Sequence, residues 1–289
     1  MSKKVVSSHQ PRPPHMVGDG LPVRNLFSYN DLGKSQLSPF LMLDYGSPSE
    51  FPPTEKKLGV GMHPHRGFET VTLVLQGGLQ HKDTAGNFGE IGPGDVQWMT
   101  AGKGVLHEEL HSESFRKTGG TLQMVQLWVN LPADKKMTEP RYQTLHAADI
   151  PVIVGADGAS KTRVISGKLG DVSGPAKTFT PVNLIDIEFT GKGRLSVVLP
   201  EGYTTALFVM EGAVTVNGTD TTDGISIMIL ERNGSKIEMA ADGPARLLIL
   251  NGKQIDEPVV GYGPFVMNSS EEIQQAMQDF SSGTFSTAQ

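Results

Sequence analysis

The chain has 289 residues, a formal net charge of −6 and no cysteine. Its length is sufficient for two domains of ordinary size, and its 34 glycines, 19 prolines and 7% aromatic residues favour a turn-rich all-β protein over a helical bundle or a disordered chain. The negative charge argues against direct binding of nucleic acid, and the lack of cysteine excludes a disulfide framework, a cysteine-bound metal and a thiol nucleophile.

The first residues of the chain carry no targeting signal that we recognise. Residues 1–16 are polar and rich in proline, without the apolar segment of a secretory signal. No stretch approaches the length needed to span a membrane. We therefore expect a soluble, cytoplasmic protein without a membrane partner.

The first half of the chain alternates short apolar runs with glycine-rich turns. This pattern predicts strands, with a loop over residues 46–53. The predicted strands cover residues 39–44, 70–75, 79–82, 96–99, 105–107 and 124–129. Residues 130–140 are polar and predict a linker, so we expect one domain over residues 1–134 and another over residues 143–289.

The second half repeats the first in outline. Residues 207–213 parallel residues 72–78, residues 245–250 match the closing strand, and Asn217-Gly218 and Asn233-Gly234 are hairpin signals. A repeat of this size predicts two tandem barrels from a duplicated ancestor. All eight histidines precede residue 147, so a histidine metal site belongs to the first half.

The last segment of the chain breaks the β pattern. Ser269 and Glu272 form a capping box, and residues 273, 276, 277 and 280 give an apolar stripe at helical spacing. We expect a C-terminal helix of about three turns that packs on a barrel and belongs to the second domain.

Two histidine clusters stand about forty residues apart. His63 and His65 flank a proline, and His107 and Glu109 flank Glu108. Because strand side chains alternate between two faces, each pair points to one side, and two neighbouring strands would bring four metal ligands together. Imidazole and carboxylate suit Fe(II), Mn(II), Ni(II) and Zn(II). For a lone pair of histidines the favoured interpretation is an ordinary strand surface, but the second cluster favours a metal site.

The remaining histidines are weaker candidates. His111 shares the face of His107, but it lies about 6.5 Å further along a strand, so we expect it at the rim of the site. His81 follows a turn signal and either lines the cavity or is exposed, and we favour the exposed position. We expect the others to face solvent, namely His9, His15 and His146.

Three stretches of the sequence closely resemble the pirins of the cupin superfamily: residues 63–71, 93–102 and 257–268. The resemblance covers nearly the whole chain after about residue 20. It implies a bicupin, in which two tandem cupin barrels (double-stranded β-helix, or jelly-roll) are followed by a C-terminal helix. The N-terminal barrel of a pirin holds an iron-type site whose ligands correspond to His63, His65, His107 and Glu109, and the C-terminal barrel has no metal ligands.

The resemblance also implies an activity. Some pirins resemble quercetin 2,3-dioxygenases, which open a flavonol with dioxygen and release carbon monoxide. We therefore expect one transition metal per chain, Fe(II) in the first place, with Mn, Ni, Co, Cu and Zn as alternatives. Glu109 would also accept the proton of the substrate 3-hydroxyl. Other pirins are iron-dependent binding partners of transcription regulators or metabolic enzymes, and this is the alternative. A third interpretation is a metal enzyme of different chemistry, such as an isomerase.

Three further residues lie close to the ligands in sequence. On an unbroken strand Glu69 would share the face of His63 and His65, but because the later glutamate is the ligand in pirins, we favour Glu69 as a residue around the ligands or the cavity. Glu108 should face away, although its carboxylate leaves open which glutamate binds. For Arg66 we expect a solvated or structurally paired side chain.

Overall fold

The computed structural model describes residues 1–32 and 36–285, which form two compact units. The first unit contains residues 13–32, 40–147 and 255–285, and the second contains residues 1–12, 36–39 and 148–254. The expected division at residues 1–134 and 143–289 therefore differs from these units, because each end of the chain belongs with the other half.

The first unit contains two main antiparallel sheets. The larger has seven strands in the order β12 (Arg141–Leu145), β9 (Val96–Thr100), β6 (Phe68–Gln76), β11 (Gly120–Asn130), β4 (Phe40–Phe51), β3 (Leu21–Phe27) and β2 (His15–Val17). The smaller has four strands in the order β5 (Gly59–His65), β10 (Val105–His111), β7 (Leu79–Asp83) and β8 (Phe88–Ile91). The unit also contains helix α1 (Glu113–Thr118), the hairpin β25 (Val260–Tyr262) and β26 (Phe265–Met267), and helix α2 (Ser270–Ser281).

The second unit repeats this plan. Its larger sheet has seven strands in the order β1 (Val5–His9), β22 (Ser226–Leu230), β19 (Thr204–Glu211), β24 (Ala245–Gly252), β17 (Val182–Phe189), β14 (Ser160–Ser166) and β13 (Val152–Val154). Its smaller sheet has the order β18 (Gly193–Val198), β23 (Lys236–Ala241), β20 (Ala213–Val216) and β21 (Asp220–Asp223), and a short hairpin joins β15 (Lys168–Leu169) to β16 (Val172–Ser173).

The interiors of the two units differ in polarity. Buried valine, leucine, isoleucine and methionine side chains from both sheets of the second unit form one apolar cluster, which includes Ile187, Leu207, Val216, Met228 and Leu247. In the first unit a row of polar side chains crosses neighbouring strands of the larger sheet. These residues are paired in register and are Gln97, Thr72, Gln126, Asp44 and Asn25. Polar groups are buried in the first unit at the level where the histidines lie.

Strand pairing explains why the chain ends are exchanged. The N-terminal strand β1 pairs with β22 of the second unit. Ser269 caps helix α2 in the predicted capping box, but Ile273 and Ala276 pack with Phe265 of the first unit. The expected linker is also part of this unit, because Lys136 is buried there.

The lengths of several elements differ from expectation. Strand β4 continues to Phe51 through most of the predicted loop, and β10 continues to His111. The Asn217-Gly218 turn joins paired strands β20 and β21 as predicted, whereas Asn233-Gly234 lies between β22 and β23, which belong to different sheets. Among the described residues, neither helix is long and apolar enough to cross a membrane.

Candidate metal centre

Three of the four predicted ligands lie together on strands β5 and β10. These strands are antiparallel and place His63 directly opposite His107 and His65 opposite Val105. The ring centroid of His107 is 4.3 Å from that of His63 and 4.9 Å from that of His65. Candidate ligand nitrogens of all three histidines lie within 4.8 Å of one another. The structure therefore brings together three of the four side chains that strand alternation placed around one cavity.

The hydrogen bonds of these three rings leave one nitrogen on each ring as a candidate metal ligand. His63 Nδ1 donates to the Gly61 carbonyl oxygen over 2.8 Å, since a carbonyl only accepts, and this leaves the lone pair on Nε2. His65 Nδ1 and His107 Nε2 are buried and have no hydrogen-bond partner within residues 1–32 and 36–285. Because buried polar atoms are normally satisfied, these nitrogens fit a bound metal ion.

Burial also keeps the rings of His65 and His107 neutral. Desolvation lowers the pKa of His65 well below its ordinary value, and the neighbouring His63 lowers it further, against the raising effect of the Pro264 carbonyl. Desolvation likewise lowers the pKa of His107, followed by the effects of His65, His63 and His81. A neutral imidazole is the form that binds a metal.

The fourth predicted ligand, Glu109, lies in the same cavity but outside the group of three histidines. It is buried, and its Oε1 is 2.9 Å from Thr72 Oγ1 and 3.0 Å from Gln97 Nε2. Its Oε2 accepts from Gln126 Nε2 over 3.4 Å. These contacts join the smaller sheet to the larger one and hold the carboxylate beside the histidines.

Glu69 does not share the face of the histidines. The chain breaks between β5 and β6 at Gly67, whose φ is +90°, so the alternation restarts at Phe68. Phe68 then contacts His65, with ring centroids 5.1 Å apart, whereas Glu69 points to the other side of β6. Glu69 Oε1 accepts from Thr100 Oγ1 over 2.7 Å. The expectation that Glu69 lies around the ligands or the cavity is therefore wrong.

The Glu69 carboxyl is nevertheless unusual. It is fully buried, and desolvation raises its pKa to about 7, against the lowering effects of the Thr100 hydrogen bond and of Arg141, whose Nη2 is 4.0 Å from Oε1. Glu108 is opposite Lys82 in register and is only half-buried, as expected for the outward face.

The structure corrects two further expectations about histidines. His81 is fully buried rather than exposed, and its Nε2 is 2.9 Å from Asp83 Oδ2. His111 is buried rather than at a rim, and its Nε2 donates to the Gly20 carbonyl oxygen over 2.8 Å. His146 is exposed, as predicted.

Arg66 follows the ligand candidate His65 and is paired structurally. Its Nη1 is 2.7 Å from Asp279 Oδ2 of helix α2, and its guanidinium lies 4.5 Å from the centroid of the Phe285 ring. The side chain is 5% exposed, so the paired alternative is confirmed and the solvated one is wrong. The C-terminal segment thus holds the turn that follows the histidine motif.

A cavity of about 270 Å³ opens beside the histidines. Most of its wall is apolar, and the polar groups that line it are two carboxylates, one amide and two imidazoles. The lining residues are Val17, Leu21, Val23, Met42, Asp44, Val60, His63, His65, Glu109, Met124, Gln126 and Trp128. An apolar cavity with a few polar groups suits a small aromatic molecule.

Sequence analysis did not identify several polar residues of this site. Thr72, Gln97 and Gln126 contact Glu109, and each interrupts an apolar strand. A polar side chain on the inward face of such a strand was a detectable signal. The Asp83 contact to His81 gave no comparable signal, because a turn follows Asp83 and aspartate is common in turns.

Comparison with known proteins gives a consistent result over both halves. The Pirin family model matches residues 21–129, and the model described as Pirin C-terminal cupin domain matches residues 184–286. A Pseudomonas aeruginosa protein named "Putative quercetin 2,3-dioxygenase" is 52% identical over 283 residues, which are 98% of each chain. Human Pirin is 36% identical over 287 residues, covering 96% of this chain and 92% of its own.

A solved structure shares the fold. The crystal structure of quercetin 2,3-dioxygenase from Acinetobacter baumannii superimposes with a TM-score of 0.96 at 49% sequence identity and covers 99% of both chains. The predicted fold, two cupin barrels with a C-terminal helix, is confirmed.

Proposed function

Because the chain belongs to the pirin family, we propose that it is a mononuclear non-haem metal enzyme of the quercetin 2,3-dioxygenase type. Its substrates would be a flavonol, or a related enolic aromatic compound, and dioxygen. The names of two close relatives support this reaction. The observation that carries the proposal is the pair of buried, unpartnered nitrogens on His65 and His107 beside a largely apolar cavity.

His63, His65 and His107 would hold the metal, with Glu109 as the fourth ligand. Fe(II) is our first choice, and Mn, Ni, Co, Cu and Zn suit the same nitrogen and oxygen donors. When bound, the metal would act as a Lewis acid on the substrate oxygen and as a template for the two substrates. We assign one metal per chain.

Glu109 is our candidate for the group that accepts the substrate hydroxyl proton. The Thr72 hydroxyl has one hydrogen and lies 2.9 Å from Glu109 Oε1 and 2.8 Å from Gln126 Oε1. While Glu109 is ionised, Thr72 donates to it. Once Glu109 is protonated, it can donate to Thr72 Oγ1, and the Thr72 hydrogen turns to Gln126. The network therefore accommodates both protonation states, as a general base requires.

The cavity wall would bind and orient the aromatic substrate. Trp128 lines the cavity and stacks on Phe68, with ring centroids 4.2 Å apart, so its ring is held in place. Apolar walls of valine, leucine and methionine exclude water from the reacting atoms, which strengthens the polar contacts made there. At about 270 Å³ the cavity lies just below the usual range for ligand sites, which favours a single flat substrate.

Oxygen uptake tests the proposal. Metal would be measured in the purified protein, which would then be loaded with Fe(II) and mixed with quercetin. We expect one carbon monoxide released for each dioxygen consumed, and loss of turnover in the His65→Ala variant. The absence of turnover with a panel of flavonols, at full metal content, would contradict the enzyme assignment.

One observation favours the regulatory alternative. Arg66 directly follows His65 and binds Asp279 of helix α2. A change at the metal could therefore reach an exposed helix. An iron-dependent partner of a transcription regulator or metabolic enzyme must present different surfaces in its Fe(II) and Fe(III) states. Amide hydrogen exchange of α2 in the two states tests this, and identical exchange would contradict it.

A further inference from the structure

Asp83, His81 and His107 form a buried chain of polar contacts behind the metal site. We propose that Asp83 and His81 are positioning residues that fix the tautomer of His107, so that its Nδ1 carries the proton and its Nε2 presents a lone pair. This inference rests on the proposed function where it concerns metal binding. The tautomer itself is a property of the protein without metal.

The chain begins at an anchored carboxylate. Asp83 Oδ1 accepts from the backbone nitrogens of Ala85, at 3.0 Å, and of Asn87, at 2.9 Å. Its Oδ2 is 2.9 Å from His81 Nε2. An ionised carboxylate only accepts hydrogen bonds, so His81 Nε2 must carry a hydrogen.

Gln97 gives a second and independent constraint on His81. Gln97 Nε2 donates to Glu109 Oε1 over 3.0 Å, and Gln97 Oε1 accepts from the Tyr142 hydroxyl over 3.2 Å, so the orientation of the amide is fixed. The same Nε2 lies 3.4 Å from His81 Nδ1. An amide NH₂ has two hydrogens and only donates, so His81 Nδ1 must be an acceptor. Both constraints give the same neutral tautomer.

The tautomer of His107 follows from that of His81. His107 Nδ1 lies 3.4 Å from His81 Nδ1, and because the His81 atom is an acceptor, the His107 atom must be the donor. A neutral imidazole has one hydrogen, so His107 Nε2 carries the lone pair. Nε2 is also the buried nitrogen without a hydrogen-bond partner among the described residues. Residues on a third strand, β7, therefore prepare a ligand on β10.

The Asp83→Asn variant should reverse this chain. The two backbone donors at the Oδ1 position hold the amide oxygen there, so the amide nitrogen takes the place of Oδ2 and donates to His81 Nε2. The Asn87 side-chain nitrogen, which donates to Oδ2 over 2.9 Å in the natural protein, then turns away. The His81 hydrogen then moves to Nδ1, where it faces the hydrogen of His107. His107 is thereby driven to the tautomer with its proton on Nε2, so the tautomer must be reversed, at a cost in affinity, before Nε2 can bind a metal.

A matched control is available in the same unit. His146 and Asp95 form another histidine–aspartate pair, with His146 Nδ1 3.8 Å from Asp95 Oδ1, and Asp95 also accepts from a backbone nitrogen, that of Gly92. Asp95→Asn removes a carboxylate from a turn beside a histidine without touching the buried chain. It should leave the tautomer of His107 and the metal affinity unchanged.

The experiment uses the full chain, stripped of metal with a chelator, and nitrogen-15 NMR of its imidazoles. We expect His107 to be protonated at Nδ1 in the natural protein and at Nε2 in Asp83→Asn. The dissociation constant for nickel(II), measured by competition with a chelator, should rise about 10- to 100-fold in Asp83→Asn. In a second pair of variants, His81→Gln retains an acceptor for His107 and should bind nickel more tightly than His81→Leu.

Two results would separate failure of this inference from failure of the proposed function. His107 protonated at Nε2 in the natural protein, or an unchanged tautomer in Asp83→Asn, would overturn the positioning role. The expected tautomers together with unchanged nickel affinity would overturn the ligand role of His107, and with it the part of the inference that concerns the metal.

Discussion

His63 and His107 face each other across neighbouring antiparallel strands, with their ring centroids 4.3 Å apart. The His63→Ala and His107→Ala variants should each lose most bound metal, because three imidazoles share the binding energy of one ion. His146→Ala, which removes an exposed histidine, should retain the metal. Metal analysis of the purified proteins checks this. Two tightly bound ions per chain would contradict our assignment.

Glu109→Gln should lower flavonol turnover more than metal content. The amide still offers an oxygen donor but cannot accept the substrate proton, and loss of a general base typically lowers kcat by about 10²- to 10⁴-fold. Glu108→Gln is the control, because Glu108 lies on the opposite face of β10. Turnover and metal content are measured for both variants. A larger loss of turnover in Glu108→Gln would show that our assignment of the two faces is reversed.

Glu69 should make stability depend on pH. Its pKa is about 7 when folded, against 4.5 ordinarily, so between these values the folded state retains a proton that the unfolded state releases. The contribution of the Glu69 carboxyl to the free energy of unfolding therefore falls as pH rises from 4.5 to about 7.

The Glu69→Gln variant should remove this dependence. The difference in free energy of unfolding, variant minus natural protein, should increase by about 2 to 3 kcal/mol as pH rises from about 5 to about 8. Denaturant unfolding at the two pH values measures the change. Glu139→Gln alters an exposed carboxylate and should show no such increase. Parallel curves for the natural protein and Glu69→Gln would count against a raised pKa.

Lys136 should stabilise the first unit strongly. Its Nζ is buried and donates to the Gly67 carbonyl, the Asn130 side chain and the Val266 carbonyl at 2.7 to 2.9 Å. Lys136→Met leaves these acceptors without a donor and should lower the free energy of unfolding by about 2 to 4 kcal/mol. Lys135→Met, at a half-exposed neighbour, should change it little. Equal effects of the two variants in denaturant unfolding would contradict the role of Lys136.

Period-two alternation predicted which faces of β5 and β10 carry ligand candidates, because both strands run unbroken through their histidines. The same rule failed for Glu69, since Gly67 adopts a φ of +90° and resets the alternation before β6. Glycine allowed that break, but glycine alone does not show where a strand ends. His81 was misjudged because its burial depends on the place of β7 between β10 and β8 and on Gln97 of the larger sheet, which the local sequence does not show.

The order of strands along the chain indicated two similar barrels, but not the exchange of their ends. Whether Val5 pairs with the first or the second unit depends on long-range pairing with Leu230, and nothing in the local pattern of residues 5–9 distinguishes the two. The capping box at Ser269 predicted where helix α2 starts. Its packing on the first unit depends on contacts such as Arg66 with Asp279, which are far apart in sequence.

This exchange of ends has a consequence for how the protein is made. All four proposed ligands have been synthesised by residue 109, yet the first unit gains β25, β26 and α2 only when the last part of the chain has been translated. The second unit, conversely, needs strand β1, which is synthesised long before β22, the strand with which it pairs. Synthesis must therefore have passed β24 before the second unit has all of its described strands, and must have passed α2 before the first unit has all of its described strands and helices. The first unit is therefore complete only long after its four proposed ligands have been synthesised.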